Sequence, residues 1–216
     1  MYHVLNEIFS YSVGIAAIIG LIRIRKIDPS FYPFIILLWL GILTEIATTI
    51  LIRKIGRNAE ISNVYVLLES LVIMWQFQQW RFFERYRAWF PITMIAFVIA
   101  WVVENFFVSD IHHFNSYFRI FYSFLIVLMS ISQINHLIAK ETKGIVKNAI
   151  FLILVGFIIF FAYKTMVEIF WAYGVFESKT FQANVYRIMN YVNLAVNLIF
   201  ALAVLWIPGR QKYTLL

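Results

Sequence analysis

The sequence predicts an all-α integral membrane protein: a single bundle of seven transmembrane helices, N-terminus outside and C-terminus cytoplasmic. Three observations lead there. Of the 216 residues, 62% are hydrophobic and only 13% charged, about half the roughly 25% charged share of a soluble domain. Apolar stretches near the ~20 residues needed to cross a bilayer recur along the whole chain. The basic residues that raise the net charge to +7 cluster in the short connections between those stretches, as membrane anchors do, so a nucleic-acid partner is excluded.

Taken in order, the predicted spans are residues 4–22, 31–52, 61–80, 89–108, 114–138, 149–176 and 181–207. In the first, Arg23, Arg25 and Lys26 follow the apolar run instead of preceding it, so it reads as a retained span and not as a cleaved signal peptide. Ala16 and Gly20 form one small-xxx-small pair there, suited to helix packing. The connections RIRKIDPS, RKIGRNAE, RFFERYRA, SDIHH, AKETKGIVKN and ESKT are too short for a separate domain. Pro29, Pro33, Pro91 and Pro208 lie at or near span ends. Paired interruptions of the kind found in alternating-access transporters are absent, as is a sequence repeat between the first three and last three spans.

Orientation follows from the connections. Arg23, Arg25, Lys26, Arg81, Arg85, Arg87, Lys140, Lys143, Lys147, Arg210 and Lys212 fall on one side, against Arg53, Lys54, Arg57 and Lys179 on the other. The richer side is assigned to the cytoplasm, which places the chain in the plasma (inner) membrane with its N-terminus outside. With no cysteine, the chain has neither disulfides nor thiolate sites.

Charges inside the spans carry the functional reading. Glu45, Glu69, Glu104, Arg119, Lys164, Glu168 and Arg187 all lie within predicted helices. Each costs roughly 2.5 to 3.5 kcal/mol at the bilayer centre unless it finds a partner or water. At about 1.5 Å per residue, Glu69 and Lys164 fall within ~3 Å of the midplane and Glu45 about 6 Å outward. Glu104, Glu168 and Asn190 follow at about 7 to 9 Å, Arg119 and Arg187 at about 11 Å. The expectation is therefore a polar layer in the outer half of the bundle. Below it lies a dry inner plug relieved by neutral groups such as Ser130, Ser132, Gln133 and Asn197, with His136 near a helix end.

Asn190, Asn193 and Asn197 share one helical face, with Arg187 extending the stripe outward. Tyr65, Trp101, Tyr122, Tyr163, Trp171 and Tyr191 lie at the same depth and are expected to line the layer. A Lys N-terminal to a Glu at i,i+4 is the poorer order for pairing within one helix. Lys164 is thus expected to reach Glu69 or Glu45 across the bundle, and Glu168 to meet Arg119 or Arg187. Mutual pairing that fixes register is the competing structural explanation.

No cofactor or metal site is predicted. The donors nearest to one are His3 with Glu7, one turn apart, and Asp110, His112 and His113. Ser70 follows Glu69 directly, but neighbours on a helix do not face each other, and no hydrolase motif occurs. The leading functional expectation is a receptor- or sensor-like module that binds a small molecule or lipid in the outer half. Its partners are membrane lipids and a membrane or cytoplasmic signalling protein. A small carrier or proton-coupled transporter is the first alternative, and an intramembrane lipid-modifying enzyme the second.

Overall fold

A computed structural model describes residues 9, 11–140, 144–174 and 178–209. Among them are seven α-helices: α1 Val13–Arg23, α2 Tyr32–Ile55, α3 Ala59–Gln79, α4 Trp89–Val103, α5 Ser116–Lys140, α6 Ala149–Ala172 and α7 Lys179–Trp206. A π-helical turn, Glu104–Val108, continues α4, and short 3-10 turns, Pro29–Phe31 and Ile145–Lys147, precede α2 and α6.

Local signals explain most ends. Asp28 accepts the Ser30 amide at 2.8 Å ahead of Pro29, opening the turn into α2, and Gly56 closes α2 in the left-handed conformation (φ 77°) that glycine adopts without strain. Asn148 accepts the Ile150 amide at 2.9 Å at the start of α6, and Ser178 accepts the Phe181 amide at 3.1 Å at the start of α7. Because Arg53 and Lys54 belong to the last turn of α2, that helix runs three residues past its expected end. Helix α6 instead stops at Ala172, short of the expected 176. Of the first predicted span, Val13–Arg23 forms a helix and Phe9 is also helical, while its beginning, residues 4–8, lies outside the described residues.

Each helix packs on its sequence neighbour, and α1 packs on α7, so the bundle closes into a ring. Helix α3 also touches α5 directly, which leaves α4 on the outside with Phe97 as its one buried residue. The surface is inverted relative to a soluble protein. Ile18, Ile22, Leu43, Ile95, Ile99 and Phe124 are exposed, whereas Asn63, Glu69, Gln76, Arg119, Lys164 and Asn197 are buried. An apolar exterior of this extent is that of a lipid-facing protein.

Five helices are long and apolar enough to cross a membrane: α2 with its leading turn, α4 with its π turn, α5, α6 and α7. The chain is accordingly a multi-pass membrane protein. Helix α1, at 11 residues, covers about 16 Å of a ~30 Å hydrocarbon core. Helix α3 is long enough but carries Asn63, Glu69, Ser70 and Gln76 on its buried face.

The end of the bundle that holds the α1–α2 connection is tied by polar groups. Gln76 accepts the Phe34 amide and donates to the Ser30 carbonyl, both at 2.7 Å, joining α3 to the start of α2. Arg23 donates to the Val204, Leu205 and Ile207 carbonyls, satisfying the last turn of α7. Above these ties, Phe34, Phe157 and Phe200 meet edge to face with centroids 5.2 to 6.2 Å apart. Gly156 permits that contact, since a Cβ there would stand 2.4 Å from Phe200 Cε1. Of the neutral groups expected at this end, Ser130 and Gln133 are buried, while Ser132 and His136 are exposed.

Two substitutions test this packing. Gly156→Ala is expected to destabilise the bundle by about 1 to 3 kcal/mol through overpacking against Phe200. Gln76→Leu, which strands a buried amide and a carbonyl, is expected to cost about 1 to 3 kcal/mol for each. Thermal melts in detergent check both.

Candidate functional site

Helices α3, α5 and α6 converge on a buried ion pair. Lys164 Nζ donates to Glu69 Oε2 at 2.9 Å and to the Tyr122 hydroxyl. The Tyr122 hydroxyl donates to the same Oε2 at 2.5 Å, and Tyr65 donates to Oε1 at 2.8 Å. Glu69 thus takes three donors from three helices. The Lys164 ammonium also lies over the rings of Tyr122, Phe160 and Phe161 at 5.1 to 5.5 Å, where ring quadrupoles attract a cation.

A second cluster lies nearer the α4–α5 connection. The Arg119 guanidinium reaches Glu168 Oε1 at 3.5 Å, Ser62 Oγ at 2.9 Å and Asn63 Oδ1 at 3.1 Å. Glu168 Oε2 accepts from Ser116 Oγ at 2.7 Å. Asn63 is the hub: its amide donates to the Ile111 and His113 carbonyls at 3.0 and 2.7 Å, and its own carbonyl accepts from Trp101 Nε1 at 2.8 Å. The sequence reading overlooked Asn63, although an asparagine within an apolar helix is itself a signal of interhelical bonding.

Glu104 has a different role from the one expected. Its carboxylate accepts the Tyr117 amide at 2.8 Å and the Phe118 amide at 2.5 Å, capping the first turn of α5 from across the connection. A carboxylate at a helix N-terminus satisfies unpaired amides and the positive end of the dipole. The π turn that begins at Glu104 carries this side chain.

With four charges paired and Glu104 used as a cap, one intramembrane carboxylate is left. Glu45 makes no hydrogen bond or ion pair with any described residue. It faces a cavity of about 260 Å³ bounded by α1, α2, α3, α6 and α7. Leu37, Phe157, Phe161 and Phe200 form the apolar end of that cavity. Thr44, Thr48, Tyr65, Glu69, Asn193 and Asn197 supply polar walls, and Asn58 and Ser62 mark the end near the α2–α3 connection. Positions 41, 45 and 48 repeat every three to four residues, so α2 turns one face to the cavity. Asn197 borders this space instead of belonging to the plug: its amide donates to Ser12 Oγ at 2.8 Å and to Asn193 Oδ1 at 3.3 Å.

Several candidates do not line the cavity. Arg187 is exposed and Asn190 half-buried. Trp171 and Tyr191 are exposed, and the Tyr191 ring meets Phe9 at 5.6 Å. Tyr163 donates to the Val185 carbonyl at 3.0 Å, tying α6 to α7. A helix buried on one face only sends some residues at a given depth into lipid, and depth alone cannot tell these apart. Ser70 donates to the Leu67 carbonyl at 2.7 Å, a bond within its own helix.

Of the metal candidates, His3 and Glu7 lie outside the described residues. Among the described residues no three potential metal donors come together. His112 Nδ1 stands 2.8 Å from Glu60 Oε1, its backbone amide donates to Asp110 at 3.1 Å, and the His113 carbonyl serves Asn63. The His112 hydrogen bond holds the Glu60 carboxyl below its ordinary range. Compared with known protein families, characterised proteins and solved structures, the chain matches none.

Lys164→Met is expected to cost about 3 to 5 kcal/mol by leaving Glu69 buried and uncompensated. The Glu69→Met, Lys164→Met double variant should recover much of that loss in the same denaturation assay. A lowered Glu60 carboxyl stabilises the fold above the unfolded value of about 4.3, and the contribution disappears as pH falls through the folded value. The Glu60 carboxyl carbon resonance should titrate below about 4.3 and move upward in His112→Ala.

Proposed function

We propose that the chain is a seven-span receptor- or sensor-like membrane protein that receives a small molecule or lipid-derived ligand in the cavity beside Glu45. The observation that carries this reading is the unpaired carboxylate. The remaining described intramembrane charges are occupied, exposed or used as a cap, whereas Glu45 sits among hydroxyls and amides above a closed aromatic floor. Polar walls over an apolar base are the usual composition of a small-ligand site.

The proposed topology has all seven helices crossing the bilayer, with the N-terminus and the α2–α3 connection outside and the C-terminus in the cytoplasm. The ligand then enters from outside, and the phenylalanine floor separates it from the cytoplasmic end. Such a floor favours holding a ligand over passing it through. Because the cytoplasmic connections are short, output goes to a partner protein in the membrane or the cytoplasm.

A proton-coupled carrier is the second reading, favoured by the same unpaired carboxylate, which is free to take up and release a proton. It requires the Phe34, Phe157 and Phe200 contact to open.

The chain has no cysteine, so single-cysteine labelling tests the topology cleanly. Arg57→Cys in intact cells is expected to react with a membrane-impermeant maleimide and Arg85→Cys to react only after permeabilisation. For the cavity, polar metabolites and lipid-headgroup analogues are screened by thermal shift on the full chain in nanodiscs. A saturable stabiliser is expected, worth about 2.7 kcal/mol at a hundredfold excess over Kd, and Gly41→Leu should abolish it. Among the described residues a Cβ at Gly41 meets only Val13 at 3.7 Å and the Tyr65 hydroxyl at 3.9 Å, so the added bulk enters the cavity. Ion-gradient-driven flux in proteoliposomes would replace the receptor reading with the carrier.

A further inference from the structure

We infer that the ligand of this cavity is a small organic cation, an alkylammonium or similar amine, held by the Glu45 carboxylate. The inference rests on the cavity being a binding site and adds the charge and size of what it binds.

The first argument is the sign of the lining. Among the described residues, the charged side chains bordering the cavity are Glu45 and Glu69, both acidic, with no Lys, Arg or His. Glu69 is fully engaged by Tyr65, Tyr122 and Lys164. Glu45, on α2, has no such donor among the described residues. An unpaired carboxylate out of bulk water is costly, and a bound cation is the partner that offsets the cost. Among the described residues, an anionic ligand would meet two carboxylates and no counter-charge.

The rest of the lining points to an organic cation over a bare metal ion. Phe157, Phe160 and Phe161 face the space, and aromatic faces attract alkylammonium groups by the cation–π effect. Lys164 shows that chemistry within this protein, since its ammonium already lies 5.5 Å from the Phe160 and Phe161 ring centroids. Side-chain carboxylates gathered for a divalent ion are missing, because no three potential metal donors come together among the described residues. Thr44, Thr48 and Asn193 supply the neutral acceptors that N–H donors of a primary amine need.

Size sets the last limit. About 260 Å³ falls just below the roughly 300 to 1,000 Å³ of sites for drug-sized ligands. A short-chain amine fits, with its chain on Leu37 and Phe200 and its head at Glu45.

The test uses three probes of one length and different charge: n-butylammonium, n-butanol and n-butyrate. Each is titrated at constant ionic strength against the full chain in nanodiscs, with thermal shift as the readout. Butylammonium alone is expected to give saturable stabilisation. Binding should weaken about 10- to 100-fold in Glu45→Gln, the loss expected for a hydrogen bond to a charged group, and return in part in Glu45→Asp. It should vanish in Gly41→Leu, which leaves the carboxylate intact. Butanol or butyrate binding as well as butylammonium, with Gly41→Leu still abolishing it, would overturn the cation assignment while the cavity remains a binding site. Butylammonium without effect, or with an effect unchanged in Glu45→Gln, overturns the assignment as well. The cavity reading itself falls only if the wider metabolite screen also yields no saturable ligand sensitive to Gly41→Leu.

Discussion

The Glu69–Lys164 ion pair is the interaction on which the upper half of this bundle depends. It joins the middle of α3 to α6, and the Tyr122 hydroxyl, shared between the two charges, brings in α5. In an environment without water each of these groups is costly alone and inexpensive together, so the three helices are held at one register and one rotation. Tyr65 completes the shell from the same helix as Glu69. The Arg119–Glu168 cluster repeats the device one to two turns away, with Asn63 and Trp101 adding α4.

This saturation gives the remaining side chains their meaning. A membrane bundle tolerates a charge where it is paired, capped or wet, and the first two conditions account for Glu69, Lys164, Arg119, Glu168 and Glu104. Among the described residues Glu45 meets neither, and it borders a cavity with hydroxyl and amide walls. The same paired network that rigidifies α3, α5 and α6 therefore isolates one carboxylate on α2, where a ligand would complete it.

The opposite end is closed by different means. Gln76 stitches α2 to α3 through backbone groups, and Arg23 satisfies the terminal carbonyls of α7. Between this end and the cavity, Phe34, Phe157 and Phe200 pack against the space left by Gly156. The cavity floor at this end is thus built of rings packed edge to face.

The sequence by itself determined the environment, the helical character and the depth of each polar residue. Apolar runs of spanning length, interrupted by basic connections, have few other physical solutions, and residue number along a helix converts directly to depth. Depth was enough to bring Lys164 near Glu69 and Glu168 near Arg119. Azimuth is another matter. Helix α4 is apolar nearly all round, and on α6 and α7 a few polar residues mark one face without showing how far it extends, so Trp171, Tyr191 and Arg187 share the layer's depth without sharing its cavity. Only the tertiary structure decided that Glu104 caps α5, that Asn63 is a hub and that Glu45 has no hydrogen-bond or ion-pair partner among the described residues. Each of these depends on a contact across helices, set by how the side chains of several helices pack against one another and encoded in no single helix.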